Sequence, residues 1–584
     1  MQHASNYDKF PAIRMDEGLW SDCTIGWDAI LGRIERQIGT QGRRVLVVEC
    51  YPGVEIEELT HRLRTLNPEL LVDSSQAMLP PAQIDERLKE DVTDDELFGF
   101  MTRYDIDIYF DPDRTKAIRS TICKASGLVI VYGTGAAYLA PAHDLLVYAD
   151  MARWEIQRRM RAGQIGNIGA DNRGERASLK YKRAFFVDWR ICDRFKRQLF
   201  PKMDLILDTN QPQIPKMIAA ATMFSGLEKA ASEPFRVVPF FDPGPWGGQW
   251  MKEICGLNPE PANYAWCFDC VPEENSLLLR FGETDIEIPS LNLVFCQPRR
   301  LLGDAVHARF GEEFPIRFDF LDTMQGGNLS LQVHPLTTYI QQKFGMHYTQ
   351  DESYYLLDAA EGACVYLGLK NGTVPTDLIT ALEEAQQSGQ FDAERYVGKY
   401  PVRKHQHVLI PAGTIHCSGA ESMVLEISAT PYIFTFKLWD WGRLGLDGRP
   451  RPINIGHGKH VIQWDRDEEW VRANILDRVT PVSEGDGWRE ERTGLHEREF
   501  IETRRHWFHK PVIHHTNGGV NVLNLVEGRE VTVDSPSGRF APFVVHYAET
   551  FIVPAAVGAY RITPSGESCG QECATIKAYV RTNP

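Results

Sequence analysis

The chain has 584 residues, 43% hydrophobic and 24% charged, with a formal net charge of −16 at pH 7. That length suggests about three or four domain-sized units, with cores large enough to need no disulfide staples. The acidic balance argues against nucleic acid or anionic membrane as a partner for the whole surface, and no apolar run approaches the roughly 20 residues of a membrane span.

The opening stretch "MQHASNYDKFPAIRMDEG" lacks the basic-then-apolar pattern of a secretion signal. A cytoplasmic chain is therefore expected, with residues 1–25 as an arm across the surface and the 12 cysteines as reduced thiols. "RRVLVVEC" (43–50) is an apolar run of strand length, and "IEELTHRLRTL" (56–66) has helical spacing. Further strands are read at "GLVIVYGTG" (127–135), "HDLLVYAD" (143–150) and "MDLILDT" (203–209), with a helix at "MARWEIQRRMRAG". Strands alternating with helices predict a parallel α/β sheet. Residues 153–197 carry 13 Arg or Lys against 5 Asp or Glu, most simply a solvated or interdomain charged face.

The character changes near Glu233. Short aromatic and β-branched runs follow, separated by Gly, Pro, Asn and Asp, which predicts all-β barrels or sandwiches. One helical interruption, "TDLITALEEAQQSG" (376–389), is expected to start on a Thr cap and end at a Gly. "CFDC" (Cys267, Cys270) and "CGQEC" (Cys569, Cys573) together offer four thiolates for zinc, but their separation favours buried free thiols.

In "LQVHP", Gln332 and His334 alternate with apolar residues, so a strand aims both the same way, and Pro335 ends it. Glu352 begins the strand-like "ESYYLLD", and His416 closes "HVLIPAGTIH", where Pro411 and Gly413 shape a turn. Two imidazoles, a carboxylate and an amide oxygen suit a divalent metal such as zinc. Unrelated hydrogen-bonded histidines are the alternative, since ligand sets with long gaps are weakly specific.

The ordered set "PWGG" (245–248), "FPIRFDFLDT" (314–323), "LSLQVHP" (329–335), "DESYYLLDA" (351–359), "IPAGTIHCSGA" (410–420) and "FKLWDWGR" (436–443) resembles class I mannose-6-phosphate isomerase over about 236–584. The resemblance implies a zinc-dependent double cupin of jelly-roll barrels, the second degenerate. It implies Gln332, His334, Glu352 and His416 as ligands of one Zn2+ or other divalent ion per chain. The implied reaction moves a proton between adjacent carbons of an open-chain sugar phosphate through an enediol.

Four positions depart from that pattern. Asp319 stands where a lysine is usual, and Thr349, Gln350 and Asp351 stand where another lysine is usual. Lys437 replaces an arginine after a one-residue insertion, and Leu336 and Thr337 replace an acidic pair. An aspartate for a lysine reverses the charge beside an anionic substrate, so a sugar without phosphate enters consideration. Asp319, Lys437 and Arg443 are the candidate catalytic groups of the pocket.

The front part resembles uridine-kinase-type P-loop kinases, but "ECYPGVEIEEL" keeps only Gly53, with Val54 and Glu55 where lysine and hydroxyl belong. Kinase activity is not expected. The organisation expected is a multidomain chain: an arm 1–25, an α/β kinase-like domain 26–234, a metal-binding cupin domain 235–465 with a small helical insertion, and a second barrel 466–584. The function expected is a sugar or sugar-phosphate isomerase, with assembly as a homo-oligomer left open, and a non-catalytic, metal-containing carbohydrate-binding or regulatory protein as the alternative.

Overall fold

The apolar runs of the front region lie side by side. In the computed structural model, which describes residues 5–429, 433–446, 448, 451–494 and 496–582, they form a seven-stranded sheet. Its order is Thr24–Ile25, Lys216–Ala219, Leu205–Asp208, Leu145–Asp150, Arg44–Cys50, Leu128–Gly133, Leu70–Asp73. The last five are mutually parallel. Helices cover both faces, which is why these strands read as unbroken apolar runs without alternation. The helix Ile56–Arg64 follows the first long strand as the periodicity predicts.

Past Ala230 the strands pair antiparallel with one another. A six-stranded sheet runs His407–Ile410, Glu352–Ala359, Ser422–Ala429, Ile316–Asp322, Trp266–Cys270, Phe240–Asp242. It faces a five-stranded sheet of Val397–Pro401, Cys364–Leu369, His416–Ser418, Leu331–Val333 and Phe436–Trp439, closing a first barrel. Six further strands between Thr480 and Val580 and a four-stranded sheet between Val512 and Pro564 enclose a second core, which includes Leu523, Leu525, Phe551 and Ile562. The chain is thus multidomain and largely β. Residues 1–4 of the expected arm lie outside the described residues. The rest crosses to the β region, where Ala12–Arg14 pairs in parallel with Leu278–Arg280 and the Tyr7 hydroxyl donates to Asp269.

Three expectations need comment. The helix Pro375–Ser388 begins with Pro at its first turn and Val374 at the cap position, so Thr376 does not cap it; Gly389 closes it with a left-handed φ of 69°. The described cysteines are free, and none belongs to the metal-competent group. The basic segment is in part the interdomain face expected, with Arg161, Arg190 and Arg197 bridging to Asp242, Glu273 and Glu312, and Arg158, Arg173 and Arg176 stay exposed; the rest turns inward. Lys180 donates to the carbonyls of Met160 and Arg173, Lys196 pairs with Asp150 at 2.6 Å, and Arg159 bonds Glu155 and the Gly53 carbonyl. Much of its charge is internal structure. Among the described residues, no helix is long and apolar enough to cross a membrane.

Candidate metal centre and its cavity

Register builds the site. In the five-stranded sheet, Gln332 lies opposite His416 on one side and Lys437 on the other. Directly opposed residues share a face, so these three side chains form a row into the barrel. The facing sheet contributes two rows. Arg317 lies opposite Ser428, which lies opposite Glu352; Asp319 lies opposite Glu426, which lies opposite Tyr354. His334 follows the strand Leu331–Val333, and its carbonyl accepts from the Gly413 amide at 2.9 Å. Gly413 has φ +90°, and a side chain there would strike Val461 and Gln463, so the turn expected at Pro411 and Gly413 requires glycine. Arg466 donates to the carbonyls of Pro411 and Ala412, fixing the loop that delivers His416.

His334, Glu352 and His416 meet with donor atoms within 4.8 Å of one another, all essentially unexposed. The Nε2 of His334 lies 2.9 Å from one Glu352 carboxylate oxygen and the Nε2 of His416 lies 2.7 Å from the other. Each ring's Nδ1 contacts a backbone carbonyl, Phe434 O at 3.1 Å and Thr414 O at 2.8 Å. A carbonyl only accepts, so both Nδ1 atoms carry the proton and the neutral rings turn bare Nε2 lone pairs toward a carboxylate. His334 Nε2 and Glu352 Oε1 are buried without a hydrogen bond. Lone pairs facing lone pairs need a cation between them, and this donor set, with second ring nitrogens held by carbonyls, fits a divalent metal.

Burial pushes the Glu352 carboxyl up, and positive charge at the His334 and His416 positions pulls it well below the usual carboxylate range; with the rings neutral, a bound cation would supply that charge. Gln350, not expected as a site residue, donates to Glu352 at 3.0 Å, the outer partner that a ligating carboxylate usually has. Gln332 contacts His416 Nε2 through its amide nitrogen at 3.3 Å. A half-turn of the amide presents its oxygen instead.

Beside the cluster lies a cavity of about 480 Å³ lined by Gln332, Gln350, Lys437, Asp319, Arg317 and Glu426, among others. Two of the three candidate catalytic residues therefore line it. Arg443 does not: its guanidinium is engaged by Asp440 at 2.6 Å and by the Asn328 carbonyl, a structural tie at the end of the sheet. Asp319 is not a bare negative charge. Arg317, two residues earlier on the same face, meets it at 2.9 Å and also pairs with Glu426. Burial raises Asp319 to about 7 against the pull of Arg317, and raises Glu426 well above the carboxylate range. Arg317 and Glu426, like Gln350, are site residues beyond those expected from the sequence. Their signal is charge inside an apolar strand: Arg317 and Asp319 alternate with apolar residues in "IRFDF", and Glu426 stands alone in "VLEIS". Lys437 keeps no ion pair or side-chain hydrogen bond among the described residues, and burial, then Arg451, lowers its amine to about 8.

Residues 26–232 match a family model described as a domain of unknown function (DUF8485). Over 219 residues the chain is 24% identical to mannose-6-phosphate isomerase of Streptococcus mutans, covering 37% of this chain and 64% of that one. Over 152 residues it is 24% identical to the probable mannose-6-phosphate isomerase GmuF of Bacillus subtilis, covering 26% of this chain and 45% of that one. The chain thus matches less than two thirds of the length of these relatives. Among solved structures, mannose 6-phosphate isomerase from Bacillus subtilis has a TM-score of 0.48 at 16% identity, over 60% of this chain and 100% of that chain. A putative mannosephosphate isomerase from Archaeoglobus fulgidus has 0.45 at 16%, over 60% and 98%.

Proposed function

We propose that this protein is a metal-dependent aldose–ketose isomerase acting on a sugar or sugar phosphate. The observation that carries the reading is the buried meeting of His334, Glu352 and His416, with both rings oriented to offer Nε2. Those three residues, with the Gln332 amide oxygen, are assigned as ligands. A divalent cation held there would polarise the carbonyl and neighbouring hydroxyl of an open-chain sugar. The chain's own groups supply the rest. Lys437 stands next to Gln332 in the row, and an amine near 8 exchanges a proton readily at neutral pH. We assign it the proton transfer between adjacent carbons, through an enediol. Glu426, pushed well above the carboxylate range by burial, is suited to donate a hydrogen bond to a sugar hydroxyl.

One observation favours a second reading, a sugar-binding protein without turnover. Asp319 occupies a position where the resemblance implies lysine, and it is tied into an ion pair rather than free to move a proton. Purified protein is expected to hold about one divalent ion per chain by elemental analysis and to interconvert an aldose and its ketose. Ion bound and sugar bound without interconversion would favour the second reading; absence of both rejects the two together.

We read the front domain as kinase-like in pattern but without phosphoryl transfer. The Gly53 carbonyl accepts from Arg159 at 3.0 Å, and Ile156 and Met151 pack over Gly53, so the turn is filled by protein.

A further inference from the structure

The cavity beside the metal cluster is only partly made by the barrel. Its outer wall comes from the front domain: Gln157 and Arg161 on the helix Arg153–Arg161, and Ser178 and Tyr181 on the helix Ala177–Arg183. This wall is fastened down. Arg161 bridges to Asp242 at 2.8 Å, and Gln157 and Tyr181 both donate to Glu274 of the β region. Phe98 of the front domain lies with ring centroids 5.3 Å from Phe344, 6.0 Å from Phe434 and 5.3 Å from Phe436. Asp95 reaches His457 at 3.0 Å, and one buried apolar cluster runs through both halves. A wall so attached is a preformed surface of the cavity.

Its chemistry is specific. The front domain presents amide, hydroxyl and phenol groups, while the barrel presents the aromatic faces of Trp266 and Phe268. Polar rims against aromatic faces suit a sugar, whose hydroxyls ring an apolar C–H surface. Three cations of the cavity have a carboxyl neighbour in the protein: Arg161 beside Asp242, Arg317 beside Asp319 and Glu426, and Arg451 beside Asp440, which Arg443 shares. Lys437 alone among the cavity-lining cations has no anionic partner among the described residues. One amine is a poor match for a phosphate monoester carrying about −1.5 to −2 charges at pH 7.

We propose that the front domain is a fixed cap of the sugar site, and that Gln157 and Ser178 on it read the far end of an open-chain sugar carrying no phosphate. This rests on the isomerase reading for the site itself and assigns the front domain a role in substrate choice. The test uses the full metal-loaded chain and measures binding, which does not depend on turnover. Thermal shift is followed against free hexoses, hexitols and their 6-phosphates, with aldose–ketose conversion measured alongside.

The parent is expected to bind a free hexose or hexitol. Gln157→Ala should raise the half-saturating concentration about tenfold, as for one lost hydrogen bond, with unchanged metal content. Ser178 is exposed and makes no side-chain hydrogen bond among the described residues, so Ser178→Trp keeps the fold and fills the cavity, and binding should be lost. Binding of 6-phosphates alone, or variants that bind as the parent does, overturns the proposal while leaving the isomerase reading intact. Failure of the parent to bind any sugar overturns both.

Discussion

The front domain and the first barrel both bury many charged side chains, yet they use them differently. In the front domain the buried cations reach protein acceptors: Lys180 holds backbone carbonyls, Lys196 holds Asp150, and Arg153 holds Asp193 at 3.1 Å. In the barrel, His334 Nε2 and Glu352 Oε1 lack hydrogen bonds, and among the described residues Lys437 forms no ion pair. Buried polar groups left unsatisfied are costly; single atoms of this kind occur in the front domain too, Arg153 Nη1 and Arg183 Nε among them, but among the described residues only at the barrel site do an imidazole and a carboxylate without hydrogen bonds face each other. Charge density alone does not separate scaffold from site; the state of each polar atom does.

The contrast can be broken most decisively at the ligands. His334→Ala and His416→Ala should each remove the bound ion and all turnover, a loss greater than the roughly 10–100-fold that follows loss of an outer partner. Retention of a stoichiometric ion by either variant, measured by elemental analysis, would break the barrel side of the comparison.

Lys437→Met should lower kcat by about 10²–10⁴-fold if the amine moves the proton. Its stability should change in the opposite sense from that of a structural lysine. The folded amine sits near 8, below its ordinary value, so between about pH 8 and 10.4 the unfolded chain binds more protons and stability rises with pH. Below that window the buried charge is a full burden. Denaturant titrations should find Lys437→Met as stable as the parent, or more stable, at pH 7, with the parent gaining about 1–3 kcal/mol on the variant by pH 10.

Lys196→Met tests the front domain. It strands Asp150, buried beside Asn292, and should cost about 3–5 kcal/mol in chemical denaturation while leaving metal content unchanged. A cost near zero would mean that the two regions do not differ as described. The smallest effect is expected from nucleotide: millimolar Mg–ATP should leave the melting temperature unmoved, and a clear rise would show phosphate binding where Arg159 now holds the Gly53 carbonyl.

Local pattern carried a large share of this architecture. Apolar runs such as "VLVVEC" and "LVIVYG" are strands because their length and β-branching suit a sheet covered on both faces. The alternation of Gln332 and His334 fixed their common direction, since side chains in a strand repeat every two residues. What the sequence could not carry was pairing between distant strands. That Arg317 meets Glu426, that Arg161 bridges to Asp242, and that Asp95 reaches His457 all depend on register and domain packing. Such contacts join residues up to hundreds of positions apart, and only the closed barrel with the front domain seated on it determines which charges meet and which are left facing the cavity.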